Sequence, residues 1–179
     1  YLESGPAHDL ISQALSLYKD FHKHAPARVV IHKSSPVRPS ELEGISGALE
    51  EKGVEVSDVL WLGRSSFRLF RDGDYPPLRG TCVHASEKES VLYTCGSVEF
   101  YRTYPRMYLP STLRLRLESV SQPRELLVAE ILALTKMNWN NTQMDGLEPI
   151  TLHAARKVGK VLRYLKAGQE PEPTYRFYM

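Results

Sequence analysis

Between Leu134 and Thr142 (LTKMNWNNT) an apolar stretch runs into three asparagines set around one tryptophan. Neutral amide and hydroxyl groups at a helix end can grip phosphate oxygens without reading base sequence, so Asn138, Asn140, Asn141 and Thr142 are candidates for a nucleic-acid backbone. The same residue types are the best at bonding their own backbone in caps and turns, and that reading stands beside the first. Two basic groups offer matching chemistry. Arg156, Lys160 and Arg163 recur at steps of four and three, which makes one stripe on a helix, with Lys157 adding a fourth charge. A solvated helix face is the plain alternative. In GRSSFRLFR, Arg64, Arg68 and Arg71 punctuate a strand or loop. There they could follow phosphates, or equally discourage edge-to-edge strand pairing.

The elements that must position these groups alternate between helix and strand. Leu10, Ile11, Ala14, Leu15, Leu17, Tyr18 and Phe21 recur at helical spacing between Asp9 and His24, bracketed by Pro6 and Pro26. Arg28 to His32 (RVVIH) is a β-branched run that reads as a central strand buried on both faces of a parallel sheet. After Ser34-Ser35-Pro36 a second helix runs from Pro39 through Glu51, stopped at Gly53, and Val56 to Leu62 reads as another strand. This order predicts an α/β fold with a parallel component. Gly80 to Ala85 and Ser90 to Cys95 flank Glu87-Lys88-Glu89 as an antiparallel hairpin. Leu113 to Leu117 (LRLRL) alternates, with Arg114 and Arg116 on the face opposite the leucines. Helices follow over Pro123 to Lys136 and Ile150 to Lys166, and Tyr175 to Met179 forms an extended tail.

The chain has 179 residues, 42% of them hydrophobic, enough for one globular domain with a real core. Its 23 Lys+Arg against 21 Asp+Glu leave a formal charge of +2, so any basic site must be local. Cys82 and Cys95 fit neither a disulfide framework nor a C-x-x-C metal pattern; reduced thiols in a reducing cytoplasm are expected, with cross-strand contact about the hairpin turn as the alternative. The chain has no stretch with the length and apolarity of a membrane helix, so a soluble, cytoplasmic protein with no membrane partner is expected. Tyr1 rather than Met stands first, from which a preceding portion outside this chain is expected.

The string LTKMNWNNTQMDGLEPITLHAARKVGKVL resembles the C-terminal PIWI signature of prokaryotic Argonautes, with its paired helices and asparagine-rich connection. RVVIHKSSP resembles the family strand that carries a catalytic aspartate, and the hairpin and YPRMYLP, Tyr104 to Pro110, fall in family order. The resemblance implies an RNase H-like PIWI fold, a mixed sheet flanked by helices, with the N-terminal strands absent from this chain. Residues 1–179 would be the C-terminal portion of one PIWI domain, of the long-B or short type. Its tail, 168–179, would pack toward a MID domain that is not in this chain.

Active members of the family hold two metal ions with clustered acidic residues and a closing Asp or His, and cut the target. Aligned on the resemblance, those positions carry Ser34 and Ala155, neither of which can hold magnesium. His153 is displaced from Ala155 by roughly 200° around a helix, and Asp145 reads as a loop acid. The resemblance therefore implies guide-dependent nucleic-acid binding without slicer activity, in prokaryotic defence. It assigns guide contacts to the asparagine loop and places Lys160 at the guide 5′ phosphate. The Met179 carboxylate would share a divalent cation, Mg2+, with that phosphate, because two anions need a cation between them. The implied partners are an RNA guide, a DNA target, the MID domain and an effector protein. The alternatives are an active metal-dependent guided endonuclease and a scaffold subunit for a separate effector.

Overall fold

The computed structural model describes residues 2–98, 110–137, 146–166 and 168–169. In chain order the elements are α1 (Ser4–His22), β1 (Arg28–Lys33), α2 (Pro39–Glu51), β2 (Val56–Ser65), β3 (Cys82–His84), β4 (Glu89–Leu92), β5 (Thr112–Ser119), α3 (Arg124–Leu134) and α4 (Ile150–Leu162). The strands form one five-stranded sheet in the order β1-β2-β5-β4-β3. β1 and β2 are parallel and β3 and β4 antiparallel, so the sheet is mixed and the α/β expectation holds.

Within the described sheet β1, the RVVIH run, stands at one end, and all of its residues are half-buried. Val29 and Ile31 pack against the helical core, so one face is covered. A β-branched run suits a strand covered on one face as well as one covered on both, and composition does not encode how many neighbours a strand has.

The chain divides into two compact units, the first comprising Tyr1–Leu62 and Arg116–Pro123. Parallel pairing of β1 with β2 requires a crossover, which α2 supplies. Ala7 and Leu15 of α1 meet Ile45 and Leu49 of α2, with Val54 and Val59 completing the cluster. The helices approach closely because position 44 is glycine: a Cβ there would collide with the Ser4 carbonyl. α1 stops where Lys23 turns left-handed (φ 66°) and returns its N–H to the Lys19 carbonyl at 2.7 Å.

The second unit comprises Gly63–Leu115 and Arg124–Met179. Its core gathers Leu92, Tyr93, Leu113, Leu115, Leu127 and Ile131, all fully buried. Along β5 the leucines 113, 115 and 117 are buried, Arg114 is half-buried and Arg116 exposed, as the alternation predicted. In the hairpin Cys82 lies opposite Leu92, not Cys95, and neither cysteine is in a disulfide. Burial pushes the Cys82 thiol up, with Arg124 opposing and Glu125 adding to the rise. Among the described residues no helix is long and apolar enough to cross a membrane.

Candidate nucleic-acid interface

Helix α4 begins on the buried Pro149 and turns Ile150, Leu152 and Ala154 inward. Its outer surface carries the predicted stripe, but the members are not equivalent. Arg156 donates to the Glu148 carboxylate at 2.8 Å and is committed to the start of its own helix. Lys160 and Arg163 are exposed at the other end, and Lys157 is half-buried. The helix ends at Leu162 with Arg163 as its cap, earlier than Lys166, so the two exposed cations sit where the last carbonyls favour positive charge. His153 and Ala155 are both exposed on α4.

Ser34 follows β1 directly and is exposed. Its neighbour Lys33 donates to Ser35 Oγ at 2.8 Å and pairs with the buried Glu41 at 2.9 Å. A lone hydroxyl at 34 and a methyl at 155 do not make a donor set for a divalent metal. Among the described residues no three His, Cys, Asp or Glu side chains come together as a metal site.

The second basic group starts on a strand and continues on a loop. Arg64 lies in β2, which extends to Ser65 rather than ending at Leu62, while Arg68 and Arg71 follow in the connection to β3. All three are exposed. Arg68 donates to the Phe67 carbonyl at 2.9 Å and the Ser65 carbonyl at 3.3 Å, and Arg71 to the Tyr75 carbonyl at 3.2 Å. These bonds hold the guanidinium stems near the loop backbone. Both basic groups belong to the second unit.

Asn138, Asn140, Asn141, Thr142, Asp145 and the Met179 terminus lie outside the described residues, as does Tyr104 to Leu109. The two ends of the asparagine segment are nevertheless defined. The buried Thr135 accepts the Gly146 N–H on its carbonyl at 3.2 Å, which closes the base of the segment. Thr94 Oγ1 donates to the Leu147 carbonyl at 2.8 Å. Arg79 reaches the end of α3, donating to the Leu132 carbonyl at 2.9 Å and to Thr135 Oγ1 at 2.7 Å. Reading the sequence missed Arg79, Thr94 and Thr135. The available signal was a threonine standing inside each of two apolar runs, where a buried hydroxyl must find a partner.

No protein-family model and no curated protein sequence matches the chain. Its fold is similar to that of solved Argonautes. Against an Argonaute designated Aa-Ago, with externally bound siRNA, the TM-score is 0.70 at 21% identity, over 93% of this chain and 22% of that one. Against the Aquifex aeolicus Argonaute, another structure gives 0.64 at 19%, over 96% and 23%. Against the Clostridium butyricum Argonaute, bound to a guide DNA and a 19-mer target DNA, it is 0.70 at 16%, over 89% and 21%. The chain thus has the fold of a PIWI-like segment and spans less than a quarter of the length of these proteins.

Proposed function

We propose that this chain is the C-terminal portion of a prokaryotic Argonaute PIWI domain that holds a nucleic-acid guide for target pairing and does not cut the target. The observation that carries this reading is the fold itself, shared with Argonautes over 93% of the chain. One of those proteins is described with both a guide and a target strand. The exposed Lys160 and Arg163 supply cations for phosphate, and the clamp at Thr135 and Gly146 sets where the asparagine segment leaves and returns. In this proposal Lys160 faces the guide 5′ phosphate, while Asn138, Asn140, Asn141 and Thr142 contact the guide backbone. The Met179 carboxylate helps hold Mg2+ beside that phosphate, and the tail 168–179 packs toward a MID domain. The guide is RNA and the target DNA, in a cytoplasmic defence role beside an effector protein. Ser34 and Ala155 support the absence of cutting, since neither side chain replaces a carboxylate.

The test is binding of a short 5′-phosphorylated strand to the full-length protein across a salt series. Affinity should fall steeply with salt, and Lys160→Ala and Asn140→Ala should each weaken it. Wild-type affinity in both variants would sink the proposal. Guided cleavage in magnesium or manganese, lost on changing His153 or Asp145, would replace it with the endonuclease reading.

A further inference from the structure

Two phenylalanines interrupt the arginines after β2, and the structure leaves both in water: Phe67 is 49% exposed and Phe70 85%. Their loop is not loose. The phenol of Tyr93, a fully buried side chain, accepts the Leu69 N–H at 3.1 Å and donates to the Leu69 carbonyl at 3.3 Å. Thr112 Oγ1 donates to the Phe67 carbonyl at 3.1 Å, and Ser65 Oγ accepts the Phe67 N–H at 3.1 Å. Three side chains anchored in or beside the core therefore fix the backbone on either side of Phe67 and at Leu69, itself half-buried. The side chains left outside are Phe67, Arg68, Phe70 and Arg71.

Among the described residues, the exposed apolar side chains of α1 lack this setting, and Tyr164, 87% exposed beside Arg163, is a single ring without a second one in an arginine-interleaved run. Leu10, Leu17 and Phe21 lie on one face of the long helix α1 with no arginine among them. On the loop, by contrast, rings and guanidinium groups alternate from Arg64 to Arg71, and the acidic Asp72 and Asp74 mark where the basic run ends. An apolar protein partner covering the rings would have to strip water from three arginines. A single nucleic-acid strand satisfies both features at once, because each nucleotide brings a phosphate for a cation and a flat base for a ring.

We propose that Phe67 and Phe70 form a stacking face for unpaired bases of a strand whose phosphates are followed by Arg64, Arg68 and Arg71. The face rests on the reading that this chain holds a nucleic-acid strand, and adds to it contact with bases rather than with backbone alone. Stacking of this kind tolerates any base, so it strengthens binding without selecting sequence. Because the loop backbone is already fixed, little ordering cost is due when the strand arrives.

The experiment compares two probes on the full-length protein: a short 5′-phosphorylated single strand, and the same strand with abasic sites that keep every phosphate and remove the bases. The wild-type protein should bind the intact strand roughly 5- to 100-fold more tightly. The double variant Phe67→Ala with Phe70→Ala should bind the intact strand no better than the abasic one, with the salt dependence of both unchanged. Aromatic replacement, Phe67→Tyr with Phe70→Tyr, should restore the difference. Equal wild-type affinity for the two probes overturns the stacking face and leaves guide binding standing. So does a double variant that still discriminates, including one that melts earlier because the rings cover another part of the protein. Failure of the wild-type protein to bind either probe overturns both proposals.

Discussion

Arg28 and Lys33 on β1 carry the same charge as Arg64 and Lys160, and the structure uses them for opposite ends. The first two meet carboxylates taken out of water: Asp58 is 0% exposed and Glu41 1%. Arg28 Nε donates to Asp58 Oδ2 at 2.8 Å, and Asp58 Oδ1 accepts the backbone N–H groups of Ser121 at 2.8 Å and Gln122 at 3.0 Å. Asp58 thereby joins β1, β2 and the segment after β5 inside the first unit. In the second unit, Arg64, Lys160 and Arg163 stay exposed. Residue type is shared between the two sets, so the depth and completeness of pairing separate charges that hold the fold from charges left in solvent. Arg156, exposed yet paired with Glu148, stands between them.

The sharpest way to break this contrast is Asp58→Ala, which removes a buried carboxylate together with its three bonds. A loss of about 3 kcal/mol is expected, toward the lower end for a broken buried pair because Arg28 keeps some contact with water. Thermal denaturation should show a fall of roughly 6 to 12 °C. The carboxylate also predicts a pH dependence. Burial alone would raise its pKa, but Arg28 and the amides of Ser121 and Gln122 more than offset this and hold it below its ordinary value of 3.8. A folded-state pKa lowered in this way gives stability that is present above the unfolded value and lost as pH falls through the folded one. Wild-type stability should therefore decline on acidification below about pH 4. Asp58→Asn, which keeps an acceptor for both amides, should lose that part of the slope. An unchanged acid limb would show that the pair does not stabilise the fold.

Glu41→Ala should cost less, about 2 kcal/mol by chemical denaturation. The Lys33 ammonium keeps its bonds to Ser35 Oγ at 2.8 Å and the Pro36 carbonyl at 3.2 Å, and so remains solvated by the turn. Arg79→Met extends the comparison into the second unit, because here a cation serves the fold. Losing its bonds to Leu132 and Thr135 should destabilise by about 1 to 2 kcal/mol. It should also weaken guide binding without changing the salt slope, since Arg79 would act through the base of the asparagine segment rather than on phosphate. A shallower salt slope in this variant would make Arg79 a phosphate contact instead.

Periodicity made most of the architecture readable from residues alone. The helical spacing from Leu10 to Phe21, the alternation of LRLRL and the glycine stop at 53 all appear as α1, β5 and the end of α2. The place of β1 at the end of the described sheet was not readable, because strand neighbours are set by long-range pairing. The site divides in the same way. The stripe on α4 follows from steps of four and three, which any helix converts into a face. Its partial neutralisation does not, because Glu148 precedes the helix and only the path of the chain through Pro149 brings it to Arg156. Phe67 and Phe70 look like core residues by type. Exposure, set by the three tethers beneath them, is what gives them another use.

The smallest effect on stability, and the clearest separation of the two kinds of charge, is expected from Lys160→Ala combined with Arg163→Ala. Both side chains are exposed at the C-terminal end of α4, where their attraction to the last carbonyls contributes about 0.3 to 1 kcal/mol at most and is screened by salt. The variant should melt within about 3 °C of the wild type. Guide binding should respond differently, because each cation placed on a phosphate releases a counterion on association. For a single strand, losing two such contacts should make the slope of log affinity against log salt shallower by about 1.4. The affinity loss should then be largest at low salt and shrink as salt rises, a pattern that loss of a packed or hydrogen-bonded side chain does not produce. If the double variant instead melted well below the wild type with its salt slope intact, the exposed cations of α4 would belong with Arg28 and Lys33 among the charges that hold the fold.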